Sequence, residues 1–359
     1  MAELLKNNYN KKYIERVARE IYKNCPSFNS KAFIKLVMGD DWESLELKSR
    51  MKKISKSLKA HLPDDYKECV EVILKSSSTF GGFEGMFFPD FIETYGAEKR
   101  NWKTSLRALE ELTKFSSSEF AIRPFIISDS TKVMKVMLNW SKSKNYHVRR
   151  LASEGCRPRL PWAIAIEEFK EDPSLILPIL ENLKNDPELY VRRSVANNLN
   201  DISKDHPELV LNIANEWIGK NSETDWIIKH ALRTLLKKGN PKALSLFGFT
   251  PARSLKIKNL SLKKKRVKIG DFLIFEFLID CKKDSLLRVE YAIDYMKKSG
   301  AHSRKVFSLS EKKFEKGAHL ITRRQSFKEM STRKHYKGVH FLSIIINGIE
   351  ICTVEFSVV

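Results

Sequence analysis

Glu154 and Asp201 are carboxylates set among lysines and arginines, and helical spacing gives each a definite place. At about 100° per residue, Val191, Val195 and Leu199 share one apolar face. Arg193, Asn197 and Asp201 form a second stripe that points away from it. The corresponding stripe downstream is Lys229, Arg233 and Lys237, and upstream it is Arg150 and Glu154. If equivalent helices lie side by side, these stripes line one continuous surface, basic except for two isolated acids. Lys and Arg in such a row suit the phosphates of a polyanion, whereas an acid among them repels phosphate unless it faces something positive. A plainer alternative stays open: Arg150 and Glu154 have the i,i+4 spacing of an ordinary ion pair, and Asp201 can sit near a helix end without a role.

The segment RRLASEGCRPRLPW is denser still, with Arg149, Arg150, Arg157 and Arg159, two prolines that stiffen a turn, and Trp162 at its end. Arginine beside an aromatic on a stiff loop suits gripping a backbone and stacking on a base or sugar. The alternative is a turn whose tryptophan packs inward.

The elements that must position these residues read as helices as far as about residue 245. Tyr190–Leu199 aligns with Trp226–Leu235, 36 residues on (190 to 226), and His147–Glu154 is a copy 43 residues upstream (147 to 190). Periods near 40 with two helices each predict an α-solenoid of HEAT-like repeats. Asp172-Pro173, Asp186-Pro187 and Asp205-His206-Pro207 mark helix starts. From about residue 251 the pattern turns to β-branched and aromatic stretches: 255–262, 272–281, 286–295, 306–309, 319–327, 340–346 and 349–358. Asn347-Gly348 between the last two is a strong hairpin signal. About seven strands over about 105 residues predict an immunoglobulin-like β-sandwich. The expected organisation is a helical domain over 1–248 and a sandwich over 251–359.

Composition narrows the function classes. Apolar residues are 42% and charged residues 30%, enough for a real core, but the net charge is +21. Residues 251–359 hold 24 basic against 11 acidic residues, a net +13. An excess of this size points to a polyanionic partner, with a basic surface kept for solubility as the alternative. The five cysteines, Cys25, Cys69, Cys156, Cys281 and Cys352, have no metal spacing and no disulfide framework; Cys281 and Cys352 would lie on the wrong strands for the inter-sheet bond of antibody domains. No apolar run approaches a membrane span, and the N-terminus reads as an amphipathic helix rather than a signal peptide. A cytoplasmic monomer without cofactor or metal is expected.

Several stretches resemble the AlkC family of DNA alkylation repair glycosylases, relatives of AlkD: HVRRLASEG-x-RPRLPWA (His147–Ala163), FSSSEFAIRPF (Phe115–Phe125), VRRSVANNLNDISKDHPE (Val191–Glu208), WIIKHALRTL (Trp226–Leu235) and the opening LLKNNYNKKYIERVAREI. The resemblance covers roughly residues 1–245, and the C-terminal part is similar to the immunoglobulin-like domain of one branch. It implies a glycosylase of base excision repair that removes cationic N3-alkylated bases, 3-methyladenine and 3-methylcytosine, from duplex DNA without the usual extrusion of the base. Glu154, Glu119 and Asp201 would be the acidic cluster at the lesion, and Trp162 would pack on the lesion's nucleotide. Arg150, Arg157 and Arg159 would hold the backbone; Arg149, Arg193, Lys229, Arg233 and Lys237 are assigned to DNA with them. AlkD's pair of tryptophans with one aspartate is not evident.

The chemistry agrees with that implication. A cationic base leaves as a neutral species and needs no general acid, while an oxocarbenium-like charge develops on the sugar. A carboxylate about 4 Å away stabilises it by at most about 4 kcal/mol at an effective dielectric near 20, roughly a thousandfold in rate. Glu154 is the first choice for that group. For Glu119 an alternative exists, since Ser116-x-x-Glu119 is also a capping box. The competing function is a non-catalytic HEAT scaffold that binds nucleic acid or protein; a membrane-surface protein is disfavoured because the basic residues do not alternate with an exposed aromatic face.

Overall fold

The computed structural model describes residues 5–250, 255–329 and 334–359. Among them are sixteen α-helices followed by eight β-strands. The expected order, helical repeats and then an immunoglobulin-like sandwich, is what the structure has. By contacts the chain forms two compact units, Met1–His206 with Trp217–Ala231, and Pro207–Glu216 with Leu232–Val359.

In the first unit the three copies seen in the sequence become the helices Tyr146–Glu154, Leu189–Ile202 and Ser222–Ala231. The second packs against both others. Val148 and Leu151 of the first, Val191, Val195 and Leu199 of the second, and Ile227 of the third are fully buried, as their apolar spacing requires. Small residues let the first two helices approach closely: Ser153 donates to Ser194 (2.6 Å), and Asn198 donates to the Ser153 carbonyl (2.8 Å).

Three boundary expectations need correction. The helix after Asp172-Pro173 begins only at Leu177, because a turn intervenes and Pro178 occupies the first helical turn. After Asp186-Pro187 the helix begins at Leu189; Asp186 accepts from the Glu188 amide (2.9 Å) rather than capping directly before Pro187. Trp226–Leu235 is not one helix: it breaks at Leu232 and resumes as Arg233–Lys237. Pro207 does start a helix.

In the second unit the strands are β1 (Leu255–Leu262), β2 (Arg266–Val267), β3 (Phe272–Cys281), β4 (Ser285–Met296), β5 (His302–Phe314), β6 (Gly317–Ser326), β7 (Gly338–Ile346) and β8 (Ile349–Val358). One sheet has the order β1-β3-β6 and the other β2-β8-β7-β4-β5. Period-2 burial builds the core: Leu273, Phe275, Phe277 and Ile279 of β3 belong to one cluster with Val289, Tyr291 and Ile293 of β4. The strand expected at 306–309 runs in fact from His302 to Phe314. It is an edge strand whose many exposed charged residues dilute the apolar signal. β2 escapes the pattern because it is two residues long. Asn347 (φ 50°) and Gly348 (φ 75°) make the expected hairpin, with both residues left-handed as a type I′ turn demands. All five cysteines are free thiols.

Candidate active site

The site is organised by an arginine that the spacing does not single out. Arg123, in the first turn of the helix Arg123–Ser128, is fully buried and donates to the carbonyls of Ile164 (2.6 Å), Gly155 (3.0 Å) and Arg157 (2.8 Å). One side chain thus ties both ends of the 155–164 loop to a helix of the preceding repeat, satisfying carbonyls that the loop cannot pair itself. Burial lowers its pKa to about 10, still cationic at neutral pH. Gly155 is needed where the loop leaves its helix, since a Cβ there would lie 2.6 Å from Ile122.

On this base stands a chain of alternating charges. Glu154 is 5% exposed and Asp201 2%, so neither acid is isolated on a surface as the helical wheel suggested. Arg157, itself buried, joins them: Nη1 donates to Glu154 Oε1 (2.6 Å) and Nε to Asp201 Oδ2 (2.9 Å). The expected Arg150–Glu154 pair is present but longer, at 3.5 Å. Arg150 also pairs with Glu119 and donates to the Ser117 hydroxyl (2.8 Å), which in turn donates to Glu119 (2.7 Å). Asp201 Oδ1 accepts from Lys204 (2.9 Å). Burial pulls the pKa of Arg150 and of Arg157 down, but the adjoining carboxylates more than offset it and both end above their ordinary value. Three carboxylates against two guanidiniums leave this inner cluster with one negative charge before Lys204 is counted.

The oxygens are not equivalent. Both oxygens of Asp201 are engaged, which makes it the support of Arg157. The partners of Glu154 among the described residues all meet Oε1. The capping-box alternative for Glu119 fails: Ser116 donates instead to the Gly82 carbonyl (2.7 Å), and the next helix begins only at Arg123.

Aromatic residues frame the cluster. The Arg150 guanidinium lies over the Tyr190 ring, 4.9 Å from its centroid. Tyr190, Arg150, His147, Glu119 and Phe83 line a cavity of about 350 Å³. Trp162 does not pack inward: it is 62% exposed, its φ is +64°, and its ring meets Phe83 edge-on at 6.0 Å. A large aromatic so exposed adds nothing to the core, so packing of its ring does not account for the disfavoured backbone conformation.

The remaining basic residues divide. Arg149 faces the fold: it pairs with the buried Asp186 (2.6 and 3.1 Å) and donates to the carbonyls of Ser143 and Lys144 (3.0 Å each). Its equivalent one repeat on, Arg192, holds the carbonyls of Asp186 and Pro187 in the same way (2.8 Å each), and in the third copy the buried Ile228 stands at that position. The assignment of Arg149 to DNA is corrected on that ground, its donors being committed within the chain. Arg159 is partly exposed and pairs with Asp205 (2.7 Å). Arg193, Lys229 and Lys237 are exposed and Arg233 half-buried. The helix that carries Lys229 ends at Ala231, and Arg233 and Lys237 lie on the next helix, in the second unit.

Comparison with known proteins bears on this arrangement. Residues 91–235 match the family model of the DNA alkylation repair enzyme, and residues 256–359 that of the C-terminal Ig-like domain of uncharacterised protein YhaZ. The chain is 48% identical over 345 residues to the uncharacterized protein YhaZ of Bacillus subtilis (strain 168), covering 96% of each. It matches the Pseudomonas fluorescens alkylpurine DNA glycosylase AlkC, bound to DNA containing an abasic site analog, with a TM-score of 0.94 at 38% identity, over 99% of this chain and 100% of that one. The chain belongs to the AlkC family.

Within this AlkC-family chain, Arg123 and Tyr190 are site residues that spacing overlooks. The signal for Arg123 was its place inside the FSSSEFAIRPF motif; for Tyr190 it was the recurrence of an aromatic ahead of each Val/Ile-x-basic step in the last two copies, Tyr190 and Trp226.

Proposed function

We propose that this protein is a DNA glycosylase that hydrolyses the N-glycosidic bond of cationic N3-alkylated bases, 3-methyladenine and 3-methylcytosine, in duplex DNA. The observation that carries the reading is Glu154: a buried carboxylate held at Oε1 by two arginines within a cluster of three acids, in a fold shared with an alkylpurine DNA glycosylase. As the C1′–N bond lengthens, its electron pair goes to the departing base, which becomes neutral. Positive charge grows on the sugar, and a fixed carboxylate stabilises it without reorganising. Water adds at C1′, and in this reading the Glu154 carboxylate orients it and takes its proton. The guanidiniums on Oε1 offset part of the anionic field, which brings the expected contribution down to about a hundredfold.

Trp162 supports a reaction without extrusion of the base. It stands out from the surface on its loop, where it can stack on the lesion's nucleotide in place. Arg150, Arg159, Arg193 and Lys229 are the groups of the first unit proposed to meet the backbone.

Base release from methylated duplex DNA tests the reading against a binding scaffold. Free 3-methyladenine and 3-methylcytosine should appear with intact abasic strands, and a duplex containing uracil should be left untouched, because a neutral base requires protonation to leave. Comparable release of uracil, or a covalent complex trapped by borohydride, would contradict this mechanism.

A further inference from the structure

Trp162 holds a backbone conformation that side chains disfavour, and only three non-glycine residues share a positive φ among the described residues. The other two, Asn259 and Asn347, are of a type that tolerates it. A tryptophan does not, and its own ring contributes little to holding it, being 62% exposed with an edge-on contact to Phe83. What meets its backbone comes from far away in the chain. Lys48, in the first turn of the helix Leu47–Lys59, donates its ammonium to the Trp162 carbonyl. The same ammonium lies 4.7 Å above the centroid of the Phe120 ring. Phe120 follows Glu119, so one cation touches both the loop of the exposed tryptophan and the turn of the Arg150-paired acid. Lys48 and Phe120 line a cavity of about 300 Å³ together with Ala163 and Ile164, the two residues that follow Trp162.

We propose that Lys48 is a positioning residue: it fixes the left-handed carbonyl of Trp162, presents the indole to the lesion, and keeps that loop in register with the Glu119 turn. The inference rests on the reading that Trp162 meets the lesion. A flexible cation that bonds a carbonyl and sits on an aromatic face is suited to this, since the two contacts share one charge and each limits where the other can lie.

A double-mutant cycle on the full chain separates this role from a simple phosphate contact. Single-turnover release of 3-methyladenine is measured for Lys48→Met, Trp162→Ala and the pair, with thermal midpoint and the salt dependence of duplex binding on the same preparations. Lys48→Met keeps an unbranched side chain of similar length and removes the ammonium, and with it both the charge and the donor to the Trp162 carbonyl. It should slow release about fivefold with an unchanged midpoint, Lys48→Arg should restore most of the rate, and the double variant should be no slower than Trp162→Ala alone. Multiplicative effects, with the salt slope reduced by about one unit, would mean that Lys48 acts on phosphate and overturn the proposal. So would a normal rate in Lys48→Met beside a slowed Trp162→Ala. A normal rate in Trp162→Ala itself would instead remove the lesion-stacking reading and the proposal with it.

Discussion

At the scale of single residues, Glu154 serves structure and chemistry together, and a test has to separate them. It is buried, and its loss leaves Arg157 and Arg150 short of a partner, so Glu154→Gln lowers stability by more than the roughly 0.5 kcal/mol of an exposed i,i+4 pair; breaking a buried pair costs about 3–5 kcal/mol. A lower thermal midpoint is therefore expected whatever the catalytic role. The discriminating quantity is the single-turnover rate well below that midpoint, expected to fall about a hundredfold for 3-methyladenine while affinity for undamaged duplex holds or rises, since an anion near phosphates is gone. A folded Glu154→Gln protein with normal excision would move the chemistry to Glu119, the other acid of the cluster that is not tied to Arg157.

At the scale of the repeat, successive basic residues of one helix have opposite duties. In Val-Arg-Arg, the first arginine closes the loop before its helix and the second points away from it: Arg149 and Arg192 hold loop carbonyls, while Arg150 meets the acidic cluster and Arg193 is exposed. Arg149→Ala should cost about 3 kcal/mol, because it strands the buried Asp186, and leave the salt dependence of DNA binding unchanged. Arg193→Ala should leave stability within about 0.5 kcal/mol and reduce the log–log salt slope by about 0.9. Chemical denaturation and salt titrations of both variants check the pair; a reversed pattern would refute the division. A pH effect belongs to the 155–164 loop, where Arg159 pairs with Asp205. Its partner Arg159 holds the Asp205 carboxyl below the ordinary value. A depressed folded pKa means that the pair's stabilisation is complete above the unfolded value near 4 and is lost as pH falls through the folded one. Asp205→Asn should flatten the acid side of the stability profile below about pH 4 and leave the neutral side unsloped.

At the scale of the whole molecule, the charge of the C-terminal part is the open lever. Removing residues 251–359 is a poor test, because the helices just before them pack within the same unit. Gly239 lies against Gly348 closely enough that a Cβ on Gly348 would fall 2.1 Å from it, Thr250 donates to the Leu286 carbonyl (3.0 Å), and Asn347 donates to that of Thr250 (2.5 Å). Charge can be changed without cutting the chain. Lys263, Lys264 and Lys265 are exposed, and replacing all three with Ser should leave the thermal midpoint unchanged. If the sandwich adds to DNA binding, the salt slope should fall by about two to three units; an unchanged slope would assign this charge to solubility.

Local sequence determined the elements and their faces. The period of 3.6 put Val191, Val195 and Leu199 in the core, alternation defined β3 and β8, and Asn347-Gly348 closed a hairpin because only residues tolerant of positive φ fit there. The long motif around Glu154 also marked the right region of the chain. A helical wheel, however, has only an inside and an outside, whereas a repeat is covered by its neighbours on several sides. Asp201 reads as outward on its own helix and is buried because Arg157, 44 positions earlier, folds over it. Lys48 and Trp162 are 114 positions apart, and Arg123 reaches carbonyls 32 to 41 positions away. Which charges meet across those separations depends on how the repeats stack. Tertiary structure alone decided that the acids form one alternating network and that Trp162 faces solvent.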